Sequence, residues 1–294
     1  PRLADAVPVK PRRILVIGAG GQLGRALRAS YGDQAHVEYA DRQELDISSP
    51  ALSGARPWRT YDTIINAAAY TAVDRAETAE GRADAWAANA TGAANLARVA
   101  AEFGVTLVHV SSDYVFDGEL ERAYREDDAL CPLGVYAQTK AAADLAVGVA
   151  PRHYILRTSW VIGDGGNFVR TMASLAERGI NPNVVDDQVG RLTFTEEVVR
   201  GIRHLLDARA PYGIYNLTGS GAVHSWADIA RRVFELTGHD PARVSGVSTD
   251  EYFAAATGPV APRPRNSALD LAKIEATGFA PADADASLEA YLRA

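Results

Sequence analysis

Cysteine is almost missing from this sequence. Cys131 stands alone, so no disulfide can form within the chain. Beside Pro132 it reads as an incidental small apolar residue rather than a nucleophile. Lysine is scarce too, limited to Lys10, Lys140 and Lys273. No basic run invites nucleic acid or an anionic membrane. The six histidines are scattered without ligand-like spacing, so no metal site is inferred. No apolar run reaches transmembrane length and the first residues lack a signal-peptide core, so a soluble cytoplasmic protein is the expectation. With a net charge of −7, the chain must hold any anionic ligand by local devices, such as helix N-termini and a few placed cations. The chain begins at Pro1 rather than Met, which fits a processed or trimmed piece. Residues 1–12, rich in proline, read as a linker.

What is present is apolar surface: 47% of residues are hydrophobic, enough for one large domain or two closely joined ones. Short apolar runs at residues 14–17, 36–40, 63–66 and 105–110 read as buried strands, and 23–31 as a helix. Between the last two strands an Ala-rich stretch puts Trp86, Ala90, Ala93, Ala94, Ala97 and Ala101 on one helical stripe. This alternation predicts an α/β fold, a Rossmann-like doubly wound parallel sheet. Further strands are expected at 154–157 and 214–217. Ser225, with Asp228 three residues on, opens a helix that Gly238 ends. The prolines of VAPRPR, residues 260–265, exclude a helix or a central strand there. The expected division is a nucleotide-binding domain over 13–160 and a mainly substrate-binding domain over 161–294, with some segments returning to the sheet.

The first strand runs into GAGGQLG, with glycines at Gly18, Gly20, Gly21 and Gly24. One glycine permits the tight turn, one lets the backbone approach a pyrophosphate, and one lets the helix pack on the strand. The helix N-terminus then offers unpaired amides to the phosphates. Asp41, at the end of the second strand, is placed to bond an adenine-ribose diol, whereas Arg42 beside it could meet a 2′-phosphate. The choice between NADH and NADPH stays open at this point.

Tyr136 and Lys140 lie four residues apart, on one helical face. A tyrosine with its ordinary pKa near 10 is a poor acid at neutral pH. A nearby ammonium is expected to lower it by about 1–3 pH units and so favour general acid catalysis. Ser112 closes the fourth strand, where a hydroxyl can bond a substrate carbonyl at the ligand-facing end of the sheet. Together these residues predict hydride transfer to a carbonyl.

From about residue 13 onward the chain resembles the extended short-chain dehydrogenase/reductases, and within them the dTDP-4-dehydrorhamnose reductase family. The motifs that carry this are GAGGQLG, LDI at 45–47, NAAAYTAVDRAE at 66–77, NATGAANLA at 89–97 and SSDYVFDG at 111–118. YAQTK at 136–140, RTSWVIG at 157–163, GNFV at 166–169, DDQVG at 186–190 and RPRNSALD at 263–270 follow in order. The resemblance implies NADPH-dependent reduction of a dTDP-4-keto-deoxysugar, with NADH as the other cofactor. It implies that Ser112, Tyr136 and Lys140 form the catalytic triad. Gln22 and Leu23 would line the pyrophosphate turn, Asp46 and Ile47 the adenine, and Ala67, Ala68 and Ala69 the cofactor's path. Asp113, Tyr114, Trp160, Asn167, Arg263 and Asn266 would meet the substrate.

The chain departs from the family pattern at Ser112, where threonine is frequent, at Arg191-Leu192-Thr193 and at Ile162. These departures bear on which sugar is bound. Glu196 falls near a position where some members hold magnesium between subunits, but no second match accompanies it and no metal is inferred. The N-terminal PRLADAVPVKPRR resembles the junction to a fused sugar 3,5-epimerase. Monomer and homodimer both stay open. Competing readings are a 4-ketoreductase for another dTDP-deoxysugar, an epimerase or dehydratase with the same triad, and a non-catalytic nucleotide-binding subunit. The intact triad argues against the last.

Overall fold

The computed structural model describes residues 12–293. The linker expected over residues 1–12 therefore lies, Arg12 apart, outside the described residues. Five strands come first: β1 (Ile14–Ile17), β2 (Val37–Ala40), β3 (Thr63–Asn66), β4 (Thr106–Ser112) and β5 (His153–Thr158). A further strand, Gly213–Asn216, pairs with β5, so a late segment of the chain returns to the sheet. The six-stranded order is Gly213–Asn216, β5, β4, β3, β1, β2, and every pairing is parallel.

A parallel sheet must be covered on both faces, and the strands are apolar accordingly. Leu15, Ile17, Ile64, Leu107 and Ile155 point to one side, into a core built with Ala93, Leu96, Ala97 and Ala100 of α3 (Gly92–Phe103). Ile14, Val16, Ile65, Val108 and Leu156 point to the other. There they meet Leu27 of α1 (Gln22–Tyr31) and Val198, Ile202 and Leu205 of a later helix, Thr195–Asp207. The alternation is the period of two that any strand imposes. A separate core lies in the second half of the chain. It joins Val169 and Met172 of helix Phe168–Glu177 to Ala230, Val233 and Phe234 of helix Trp226–Leu236.

Two expectations shift. β4 runs two residues past 110 because Ser111 and Ser112 stay in register with Arg157 and Thr158 of β5. The expected helical stripe holds only in part. Ala90, Ala93 and Ala97 are buried, but Trp86 is 42% exposed and Ala101 faces solvent. Ala101 lies in the exposed last turn of α3; for Trp86 the cause is a π-helical turn, Trp86–Thr91, between α2 (Ala79–Ala85) and α3. Its wider winding rotates everything before it out of phase with a regular stripe. Ser225 and Asp228 do form the reciprocal cap expected, and Gly238 (φ 80°) follows the helix end in the left-handed region. Residues 260–265 are without helix or strand.

Candidate active site

The strand order reverses direction between β1 and β3, and in open α/β sheets ligands bind beyond the carboxyl ends at that point. A cleft opens there in two lobes. The first, of about 310 Å³, is lined by Gly18, Gly20, Gly21, Asp41, Arg42, Asp46, Ile47, Ala67, Ala68 and Ala69. The second, of about 480 Å³, is lined by Gln22, Leu23, Ser112, Asp113, Tyr114, Tyr136, Lys140 and Trp160. Gly21, Ala67 and Ala69 border both lobes, so the cleft is continuous.

Each glycine of the turn has its own reason. Gly18 has φ 80°, and a Cβ there would come within 2.5 Å of the Ala68 nitrogen. At Gly24 a Cβ would strike the Gly18 carbonyl and lie 2.6 Å from Ala19 Cα, so this glycine packs helix on turn and does not line the cleft. Gly20 has open space, with nothing within 4 Å of a Cβ. Gly21 caps α1 without a side-chain bond, leaving the first-turn amides unpaired at the cleft. Open space beside unpaired amides suits the pyrophosphate of a dinucleotide. Asp41 accepts from the nitrogens of Gln43 (2.8 Å) and Glu44 (3.2 Å) through one carboxylate oxygen. Arg42 is exposed and makes no ion pair among the described residues. Two bonds from Ser48 hold the Asp46 carboxyl below the usual aspartate range.

Tyr136 and Lys140 ride on α4 (Val135–Val147). That helix has no side-chain cap from Gly134; instead Glu77, at the end of the VDRAE segment, accepts from the Val135 nitrogen at 2.8 Å. Asn89, inside the π turn, bonds the Tyr70 nitrogen (2.8 Å) and carbonyl (3.1 Å) and also Thr139 of α4 (3.0 Å). It thereby ties the alanine run after β3 to the helix bearing Tyr136. The Tyr136 ring meets Tyr114 edge-on at 5.6 Å between centroids. Ser112 donates to Asp113 (3.0 Å) and accepts from the Tyr114 nitrogen (3.1 Å).

The expected lowering of Tyr136 by Lys140 is not found. Burial dominates and pushes the phenol up to about 12, with hydrogen bonding from Ser112 acting the other way. The Lys140 ammonium is aimed at the Val110 carbonyl, 2.7 Å away. Burial brings Lys140 itself down to about 8, opposed by the charge of Asp144. Asp113 is pushed up to about 6, again by burial, against hydrogen bonds from Ser267 and Ser112.

On the far wall Trp160 takes a positive φ of 49°, a conformation that costs a non-glycine residue energy and recurs at ligand sites. Its indole stacks on Trp226 at 3.8 Å. Trp226 had no sequence signal, since nothing local announces a contact across so many residues. Arg263 lies in an adjoining aromatic recess of about 260 Å³ that also includes Trp226, Phe253 and Tyr252. There it pairs with Asp74 at 2.9 Å. Asn167 and Asn266 do not line the cleft. Asn167 caps helix Phe168–Glu177 and bonds Gly163 and Tyr291, while Asn266 bonds the carbonyls of Leu120 and Arg122. Cys131 is exposed and away from these lobes.

The RmlD substrate binding domain family matches residues 12–294 of the chain. A Mycobacterium tuberculosis protein named dTDP-4-dehydrorhamnose reductase is 39% identical over 280 residues, spanning 92% of this chain and 89% of its own length. The chain belongs to the dTDP-4-dehydrorhamnose reductase family. Another relative, from Streptomyces antibioticus, is named a probable dTDP-4,6-dihydroxy-2-methyloxan-3-one 4-ketoreductase. It is 37% identical, over 92% of this chain and 90% of its own. Among solved structures, a dTDP-4-dehydrorhamnose reductase from Bacillus anthracis in complex with NADP superposes with a TM-score of 0.86. It is 30% identical and covers 97% of this chain and 99% of that one. Family members thus share the α/β sheet, and the chain is an oxidoreductase of this family.

Proposed function

We propose that this chain uses NADPH to reduce the 4-keto group of dTDP-4-dehydro-6-deoxy-L-mannose, giving dTDP-L-rhamnose, with NADH as the alternative donor. The observation that carries this is the continuity of the cleft: Ser112, Tyr136 and Lys140 lie in the lobe that adjoins the glycine turn. The nicotinamide, when bound, supplies the hydride. Ser112 bonds the keto oxygen, Tyr136 delivers a proton to it, and Lys140 holds positive charge beneath. A phenol raised by burial stays protonated at neutral pH and gives its proton up only as negative charge develops on the oxygen. Asp113, Tyr114, Trp160 and Trp226 shape the sugar's side, and Arg263 borders the recess next to it. The cofactor part reaches about residue 160, and the remainder serves mainly the substrate.

A second reading is favoured by the Streptomyces relative: a 4-ketoreductase for another dTDP-deoxysugar. Comparing kcat/KM across dTDP-4-keto sugars decides between them. The first reading predicts the L-mannose-configured substrate to rank first, and a higher rank for another sugar overturns it. No helix among the described residues is long and apolar enough to cross a membrane, and we place the reaction in the cytoplasm with its nucleotide substrates. An upstream sugar 3,5-epimerase, fused or separate, would supply the keto sugar. Reading the full open reading frame tests the fusion, and light scattering distinguishes monomer from homodimer.

A further inference from the structure

The four-residue spacing of Tyr136 and Lys140 continues along α4 to Asp144, one turn further on the same face. Asp144 is buried, with its side chain 1% exposed, and its Oδ2 takes a bond from Arg157 Nε at 2.9 Å. Its other oxygen, Oδ1, is buried and makes no close hydrogen bond among the described residues; burial raises the Asp144 carboxyl, while Arg157, the Ser111 hydroxyl and Lys140 act the other way. Arg157, 2% exposed on β5, has further partners of its own: the Glu126 carbonyl at 2.9 Å and the face of Phe116 at 5.1 Å. Lys140 is equally buried and has the Val110 carbonyl for its ammonium. Arg157 thus pairs directly with a carboxylate whose charge also acts on a second buried cation, Lys140, one helical turn away.

We propose that Asp144 is a positioning residue that keeps Lys140 charged, and that Arg157 limits how much of that carboxylate Lys140 receives. This rests on the role of Lys140 proposed above. The remaining groups around Lys140 supply no replacement. His109 on β4 is fully buried, bonded to Asn66 at 3.1 Å, and both burial and the Lys140 charge hold it neutral. Tyr136 on α4 is a neutral phenol, and Asp113, beyond β4, is turned toward Ser112. The Glu126 carboxylate accepts from the Asn216 nitrogen at 2.9 Å. An ammonium taken out of water loses its proton readily unless an anion faces it. Here that anion is Asp144.

The scarcity of lysine makes the test direct. Protein labelled at lysine Cε carries signals only from Lys10, Lys140 and Lys273, and Lys140→Met identifies the middle one by deletion. Wild-type Lys140 is expected to titrate near about 8. Asp144→Asn should lower that midpoint by about one pH unit or more, a tenfold change in proton affinity. Arg157→Met should raise it, because a competing cation is gone. Because Asp144→Asn leaves Arg157 unpaired and can fail to fold, Asp144→Asn/Arg157→Met is compared with Arg157→Met, and its midpoint should lie lower. The alkaline limb of kcat should move in the same directions. An unmoved Lys140 midpoint in both comparisons overturns the proposal, even with kcat reduced at every pH, since a merely structural role leaves the titration alone. The NMR readout needs no substrate, so it stands apart from whether the chain reduces a dTDP sugar.

Discussion

Asp113 carries the cost of a buried carboxyl. Its carboxyl sits up near about 6 because burial disfavours the charge. Folded, it therefore holds its proton more tightly than the unfolded chain does, and ionising it opposes folding. The burden is absent below the ordinary aspartate range, grows through it, and is complete above about pH 6. Asp113→Asn should add about 1–3 kcal/mol of stability at pH 7.5 and little at pH 4, with lower turnover. Urea melts at the two pH values check this. Arg42 makes the complementary case, an exposed guanidinium at the rim of the glycine lobe with no ion pair among the described residues. Arg42→Ala should raise KM for NADPH about tenfold or more and leave KM for NADH nearly unchanged, as expected for loss of a charge-assisted phosphate contact.

At the scale of elements, the helix that presents Tyr136 is held from outside itself. Glu77 satisfies the first amide of α4, as a side-chain cap would. Glu77→Ala should cost about 1 kcal/mol and lower kcat more than KM, readable from thermal melts and steady-state kinetics. Elements were legible where a simple period governed them. The runs at 14–17 and 63–66 coincide with β1 and β3 because both faces of a parallel sheet are buried and the signal is continuous. The glycine turn was legible because backbone sterics restrict residue choice at Gly18 and Gly24. Trp86 was misplaced because a π turn breaks the regular winding on which a helical stripe depends. Asp144 was within reach as the next step of the Tyr136–Lys140 spacing. Its partner Arg157 and the Trp160–Trp226 stack were not, since both arise only when distant segments pack. The pKa of Tyr136 went the other way because sequence shows a nearby lysine but not the burial that outweighs it.

Across the whole molecule, one cleft joins the two parts of the chain. The sheet and helix α4 contribute the glycine turn, Ser112, Tyr136 and Lys140, and the second core contributes Trp226 beside Trp160. Turnover is therefore expected to need residues from both parts. The most direct measurement is nicotinamide oxidation by the purified protein given dTDP-4-dehydro-6-deoxy-L-mannose and NADPH, with product analysis, for wild type and Tyr136→Phe. One dTDP-L-rhamnose should form per NADPH oxidised, and Tyr136→Phe should lose about 10²–10⁴-fold in kcat with cofactor binding retained. Product formed without net NADPH consumption, or undiminished turnover in Tyr136→Phe, would contradict the proposed reduction.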